Sequence, residues 1–124
     1  MRIWLLDSVA EGGAVQTGEL VVTGSHGGSS AARYALSFRP LLVVFNDAGV
    51  GKDGAGVAGL ELLEREGLAA VAVDCESARI GEAADTWDSG VISHANVPAA
   101  ELGFRVGERL REVAERFAER RGTR

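Results

Sequence analysis

Three short stretches of this chain carry the side chains that could do chemistry. The first is Gly24-Ser25-His26-Gly27-Gly28-Ser29. Successive backbone N–H groups at the start of a helix can hold an oxyanion or a phosphate. An imidazole such as that of His26 can give or take a proton near neutral pH. The second stretch runs Asn46-Asp47-Ala48-Gly49-Val50-Gly51-Lys52-Asp53-Gly54. There Lys52 could neutralise an anionic group, and Asp47 could act as acid or base or orient a neighbour. The third is Asp74-Cys75-Glu76-Ser77-Ala78-Arg79-Ile80-Gly81. Arg79 can grip a carboxylate or phosphate through two parallel hydrogen bonds, and Ser77 offers a hydroxyl beside it. His94, in Ser93-His94-Ala95-Asn96, is a further contact if the fold brings it close.

These loops need elements to position them. Ile3 to Leu6 and Glu19 to Thr23 read as strands, joined by a polar connection without a clear period. A helix is expected from about Ser30 to Ser37, opened by serine as a capping residue and closed before Pro40. The continuous apolar runs Leu41–Phe45 and Leu68–Val73 suit central parallel strands covered on both faces. Between them a helix over roughly Gly54 to Glu66 carries Val57, Leu60 and Leu63 on one side, with Gly67 as its stop. Glu82 to Gly90 reads as irregular or a single helical turn, and Val91 to Ser93 as a short strand. Pro98 to Leu102 fits a short helix capped by Asn96. From Glu108 onward Leu110, Val113, Ala114 and Phe117 form an amphipathic stripe.

Strands alternating with helices predict one α/β domain over residues 1–124, a three-layer, Rossmann-like fold. Its sheet should be mostly parallel, with four or five strands. Parallel connectivity then places the three loops at one edge of the sheet, where ligands of α/β proteins bind.

Gly49-Val50-Gly51-Lys52-Asp53-Gly54 is a literal GxGxxG between a strand and a helix, and Asp74 ends the next strand. From Leu41 to Asp74 the arrangement resembles the Rossmann dinucleotide-binding fingerprint, which implies pyrophosphate at the glycines and a ribose hydroxyl on the acid. Asp47 and Asp53 put negative charge where that pyrophosphate would sit. Gly51-Lys52 also matches the Gly-Lys pair of a P-loop, but Asp53 stands where a Ser or Thr should bind magnesium. Ser-His-Gly at Ser25 to Gly27 is not the hydrolase nucleophile elbow. Two histidines and one cysteine make no CxxC, HExxH or close His pair, so no metal site is expected and no cofactor is assigned. Cys75 would need His26 or His94 beside it to serve as a nucleophile. The plainer expectation is a reduced, partly buried residue.

Bulk properties set outer limits. A chain of 124 residues, 46% hydrophobic and 25% charged, supports one soluble globular core. A net charge of −5 argues against a general nucleic-acid binder. The single cysteine excludes an internal disulfide, and no segment has the length of a signal peptide or membrane span, so a cytoplasmic location is expected. The Arg/Glu-rich C-terminal helix could help a homo-oligomer by covering a sheet edge. The expected function is a small enzyme acting on a small anionic or polar metabolite. His26 and Asp47 would be the acid/base pair. Gly24, Ser25, Gly27, Gly28, Ser29, Asn46, Lys52, Asp53, Ser77, Arg79 and His94 would contact the substrate. The alternative is a non-catalytic domain that binds or senses a nucleotide or metabolite through the same loops.

Overall fold

The computed structural model describes residues 1–122. Five strands, β1 (Ile3–Leu6), β2 (Leu20–His26), β3 (Leu42–Asn46), β4 (Ala69–Val73) and β5 (Ile92–Ala95), form one sheet in the order β1-β2-β3-β4-β5. The first four are parallel, and β5 is antiparallel to β4. The helices are α1 (Ser29–Phe38), α2 (Ala58–Arg65), α3 (Ala83–Ser89), α4 (Val97–Glu101) and α5 (Leu110–Gly122). The two apolar runs expected at the centre are β3 and β4, paired along their whole length.

Alternation along each strand divides the core in two. Val21, Val43, Phe45, Ala70 and Ala72 face α1 and α2, and pack with Ala32, Ala35, Phe38 and Leu63. Leu20, Val22, Leu42, Val44, Val71 and Val73 face the other way, against Ile92, Phe104, Leu110, Ala114 and Phe117. This period of two, buried on both sides, is why the central strands read as unbroken apolar runs. A strand order that always steps the same way, with right-handed crossovers, puts α1 and α2 on one face. It also lacks the reversal of order that opens a ligand crevice between strands of the dinucleotide-binding fold.

Four local expectations change. The helix expected from Gly54 starts only at Ala58, because Asp53 and Gly54 are left-handed (φ 57° and 70°) and confine residues 52–54 to a 3₁₀ turn. The first helix is not capped by serine: its N-cap is Gly28, without a side-chain cap, and both serines lie in the first turn. Residues 83–89 form a true helix, α3, whose first amide at Ala83 donates to Asp7 Oδ1 at 2.9 Å. That cap comes from the far end of the chain, so no local pattern announces the helix. The connection between β1 and β2 contains two 3₁₀ turns, Val9–Glu11 and Ala14–Gln16.

Candidate functional site

Four strand ends meet at one edge of the sheet. Asp7 follows β1, His26 ends β2, Asp47 follows β3 and Asp74 follows β4. Two separate groups of side chains form there, and they divide the residues expected to act together.

The first group surrounds a pocket of about 370 Å³ lined by Asp7, Ser25, His26, Ser30, Tyr34 and Ile80 among others. The loop after β2 shapes it. Gly24 accepts from the Gly81 amide and donates to Asp7 O, so the 80–82 segment lies against β2. A Cβ on Gly24 would run into the backbone of Gly81 and Glu82. Ser25 Oγ accepts from the Val9 amide at 2.9 Å, which fixes the opposite wall. Gly27 donates to Asn46 O and accepts from the Gly59 amide, tying α1 to β3 and α2. A side chain at Gly59 would overlap the carbonyls of Gly27 and Gly28, so this close helix contact requires glycine. His26 itself is exposed, and Ser29 and Ser30 are exposed at the uncapped start of α1.

The second group centres on Asp47, which is 5% exposed. Its Oδ1 accepts from the amides of Gly49 (2.8 Å) and Cys75 (3.1 Å), and its Oδ2 from Ser93 Oγ (2.7 Å). Burial pushes its pKa up. The hydrogen bonds from Ser93, Gly49 and Cys75, with His94 nearby, outweigh burial and hold the carboxyl below its ordinary value. Ser93 Oγ also lies 3.0 Å from His94 Nδ1. Asp47 is thus a buried, ionised anchor for three segments and does not line the first pocket.

Several other expected contacts are turned to internal work. Asn46 is fully buried; its Oδ1 accepts from the Ala48 amide and its Nδ2 donates to Ala78 O. Ser77 Oγ donates to Asp74 O and accepts from the Val91 amide. Arg79 is 78% exposed, 3.9 Å from the Glu82 carboxylate, and Lys52 and Asp53 are exposed on their 3₁₀ turn. None of these five lines the 370 Å³ pocket. Of the expected residues, Gly24, Ser25 and His26 line it, and His94 lines a different one. Ile80 and Gly81, from the third polar stretch, line it too, and so do Asp7 and Tyr34, which lie outside all three stretches. The signal for Asp7 was its place directly after the first strand, the same place that Asp47 and Asp74 hold.

In the glycine loop, Ala48, Gly49, Val50 and Gly51 all have positive φ (53°, 74°, 66° and 75°). A β-branched residue there is strained by roughly 1–2 kcal/mol. The chain folds back on itself, with the Gly56 amide donating to Val50 O, and α2 opens four residues after Gly54. The helix N-terminus of a dinucleotide fingerprint therefore does not sit at the third glycine. Asp74 Oδ1 accepts from the Glu76 amide and closes a turn.

Although sequence spacing gave no metal motif, Asp47, Asp74 and Cys75 each place one ligand atom within 4.8 Å of the others. The Asp47 oxygens are already committed to three donors. Burial, with the charges of Asp47, Asp74 and Glu76 and a hydrogen bond to Asp47, pushes the Cys75 thiol up, against a reactive thiolate. The Cys75 contact with Asp47 through its amide survives substitution. Cys75→Ser should leave the denaturation midpoint in place and any activity intact. Complete loss of activity in a folded Cys75→Ser protein would make the thiol a nucleophile after all. Comparison with protein-family models, with curated proteins and with solved structures gave no match.

Proposed function

We propose that the protein is a small enzyme whose substrate, a metabolite with an anionic or polar group, binds in the pocket between the ends of β1 and β2, with His26 as the acid/base residue. One observation carries this reading: an exposed imidazole and the uncapped first turn of a ten-residue helix share a concave surface. The unpaired amides of a helix N-terminus and its partial positive charge favour an anionic group. Asp7 stands across the same pocket and could take a cationic or hydroxyl group of the substrate. Apolar area from Tyr34 and Ile80, each about half exposed, is available to the rest of the molecule.

The competing reading, a binding or sensing domain without catalysis, draws support from Asp47. The second half of the expected acid/base pair is engaged away from this pocket. The two readings separate in one experiment. A panel of small carboxylates and phosphate esters is titrated while the His26 ring resonances are followed, and the hits are assayed for turnover. His26→Ala should lower turnover about 100-fold or more, as for loss of a general acid or base, with a much smaller change in affinity. A variant that changes affinity alone supports the sensing domain. A panel that never perturbs His26 removes the pocket from consideration.

A further inference from the structure

We infer that His94 is the hydrogen-bond-accepting residue of a second ligand site, between α2, β5 and Val106, and that this site takes a small organic ammonium ion with an apolar body. The direction of a hydrogen-bond chain leads there. Asp47 is buried and ionised, so its carboxylate only accepts. Ser93 Oγ, 2.7 Å from Asp47 Oδ2, must donate its one proton; the Ala72 carbonyl at 3.3 Å is a second, longer acceptor. With that proton used, the 3.0 Å contact to His94 Nδ1 requires the ring to donate from Nδ1. Neutral His94 then carries its lone pair on Nε2. Among the described residues no hydrogen bond reaches Nε2.

His94 lines a groove of about 360 Å³ that is separate from the pocket of His26. Its walls combine Val57, Leu60 and Val106 with Glu61 and Glu64, and among the described residues no lysine or arginine lines it. Val106 is 62% exposed, apolar surface that a ligand body would cover. Glu61 pairs with Arg65 at 2.8 Å on the exposed side of α2, and Glu64 Oε1 accepts from the Val97 amide. Glu64 Oε2 has no hydrogen bond among the described residues. An ammonium group is a pure donor. It suits a groove whose polar lining offers a lone pair and two carboxylates, which would repel an anion.

The test uses the full chain at about pH 8.5. Long-range proton–nitrogen NMR reads the His94 tautomer, and n-butylammonium chloride, sodium butyrate and sodium chloride are titrated in parallel. The expected result is an Nδ1–H ring, with saturable shifts at His94, Val57 and Val106 for n-butylammonium only. Ser93→Ala should move the proton to Nε2 and weaken n-butylammonium binding about tenfold, the loss of one charge-assisted hydrogen bond. Glu64→Gln should weaken it similarly while leaving the tautomer unchanged, so the two arms report on separate parts of the site. An Nε2–H ring in the unmodified protein, an equal response to butyrate, or no saturable response would each overturn the inference.

Discussion

Asn96→Ala will destabilise the protein by roughly 4 kcal/mol, measured by denaturant unfolding. Asn96 is 6% exposed and uses all of its hydrogen-bonding capacity on backbone. Its Oδ1 accepts from the amides of Ala70 (3.0 Å) and Ala99 (3.1 Å). Its Nδ2 donates to the carbonyls of Leu60 (3.2 Å) and Leu68 (2.9 Å). One amide thereby joins α2, the entry to β4, β4 itself and the first turn of α4. Truncation removes one partner from each of four backbone groups, costing about 1–3 kcal/mol for each one left with no other hydrogen bond. Water entering the space left behind recovers part of that, hence a total nearer the low end. Asn96→Asp is the sharper variant. It keeps the acceptor but points a carboxylate oxygen at two carbonyls, and should be at least as damaging at neutral pH. A loss below about 1 kcal/mol for Asn96→Ala would mean that these four contacts are not made in solution.

Asn96 also marks the line between what local sequence reveals and what it does not. Its role as the cap of α4 was legible from Asn96 and the proline two residues later, because capping is a contact over three residues. Its other three bonds span 26, 28 and 36 residues and leave no local trace. The same distinction explains the rest of the fold. Leu41–Phe45 and Leu68–Val73 were legible as central strands because burial on both faces removes polar residues from the run. Helix α3 was not, because its stability rests on the Asp7 cap and on Thr86 and Trp87 packing towards the sheet.

At the candidate site, topology was legible and side-chain direction was not. Parallel strands did bring the three polar loops to one edge. Within those loops, however, buried backbone groups claim the nearest polar side chains before any ligand can. Asn46 and Ser77 look like ligand contacts in the sequence because they are polar residues among loop glycines. In the fold they satisfy Ala48, Ala78, Asp74 and Val91. His26 escapes this use because the glycines around it carry the close contacts through backbone alone.

Asp47→Asn should cost about 2 kcal/mol at neutral pH, and the cost should fade in acid. Asparagine keeps an acceptor for the amides of Gly49 and Cys75 but presents an NH₂ group where Oδ2 received the Ser93 hydroxyl. The charge-assisted part of all three bonds is lost. The sign of the pH dependence follows from the direction of the shift. The Asp47 carboxyl lies below its ordinary 3.8 in the folded protein, so the folded state binds its proton less readily than the unfolded chain. Its contribution is complete above the ordinary value, shrinks as pH falls through it, and is gone below the folded value. The asparagine protein has no such group. Subtracting its unfolding free energy from that of the unmodified protein cancels every other carboxylate, and the difference should decline on the acid side alone. The substitution also frees the Ser93 proton to donate to His94 Nδ1, so the ring should change from Nδ1–H to Nε2–H. A difference that stays constant from about pH 7 to about pH 2 would show that Asp47 is held by shape and not by charge. An unchanged tautomer would show that Ser93 does not link the two residues.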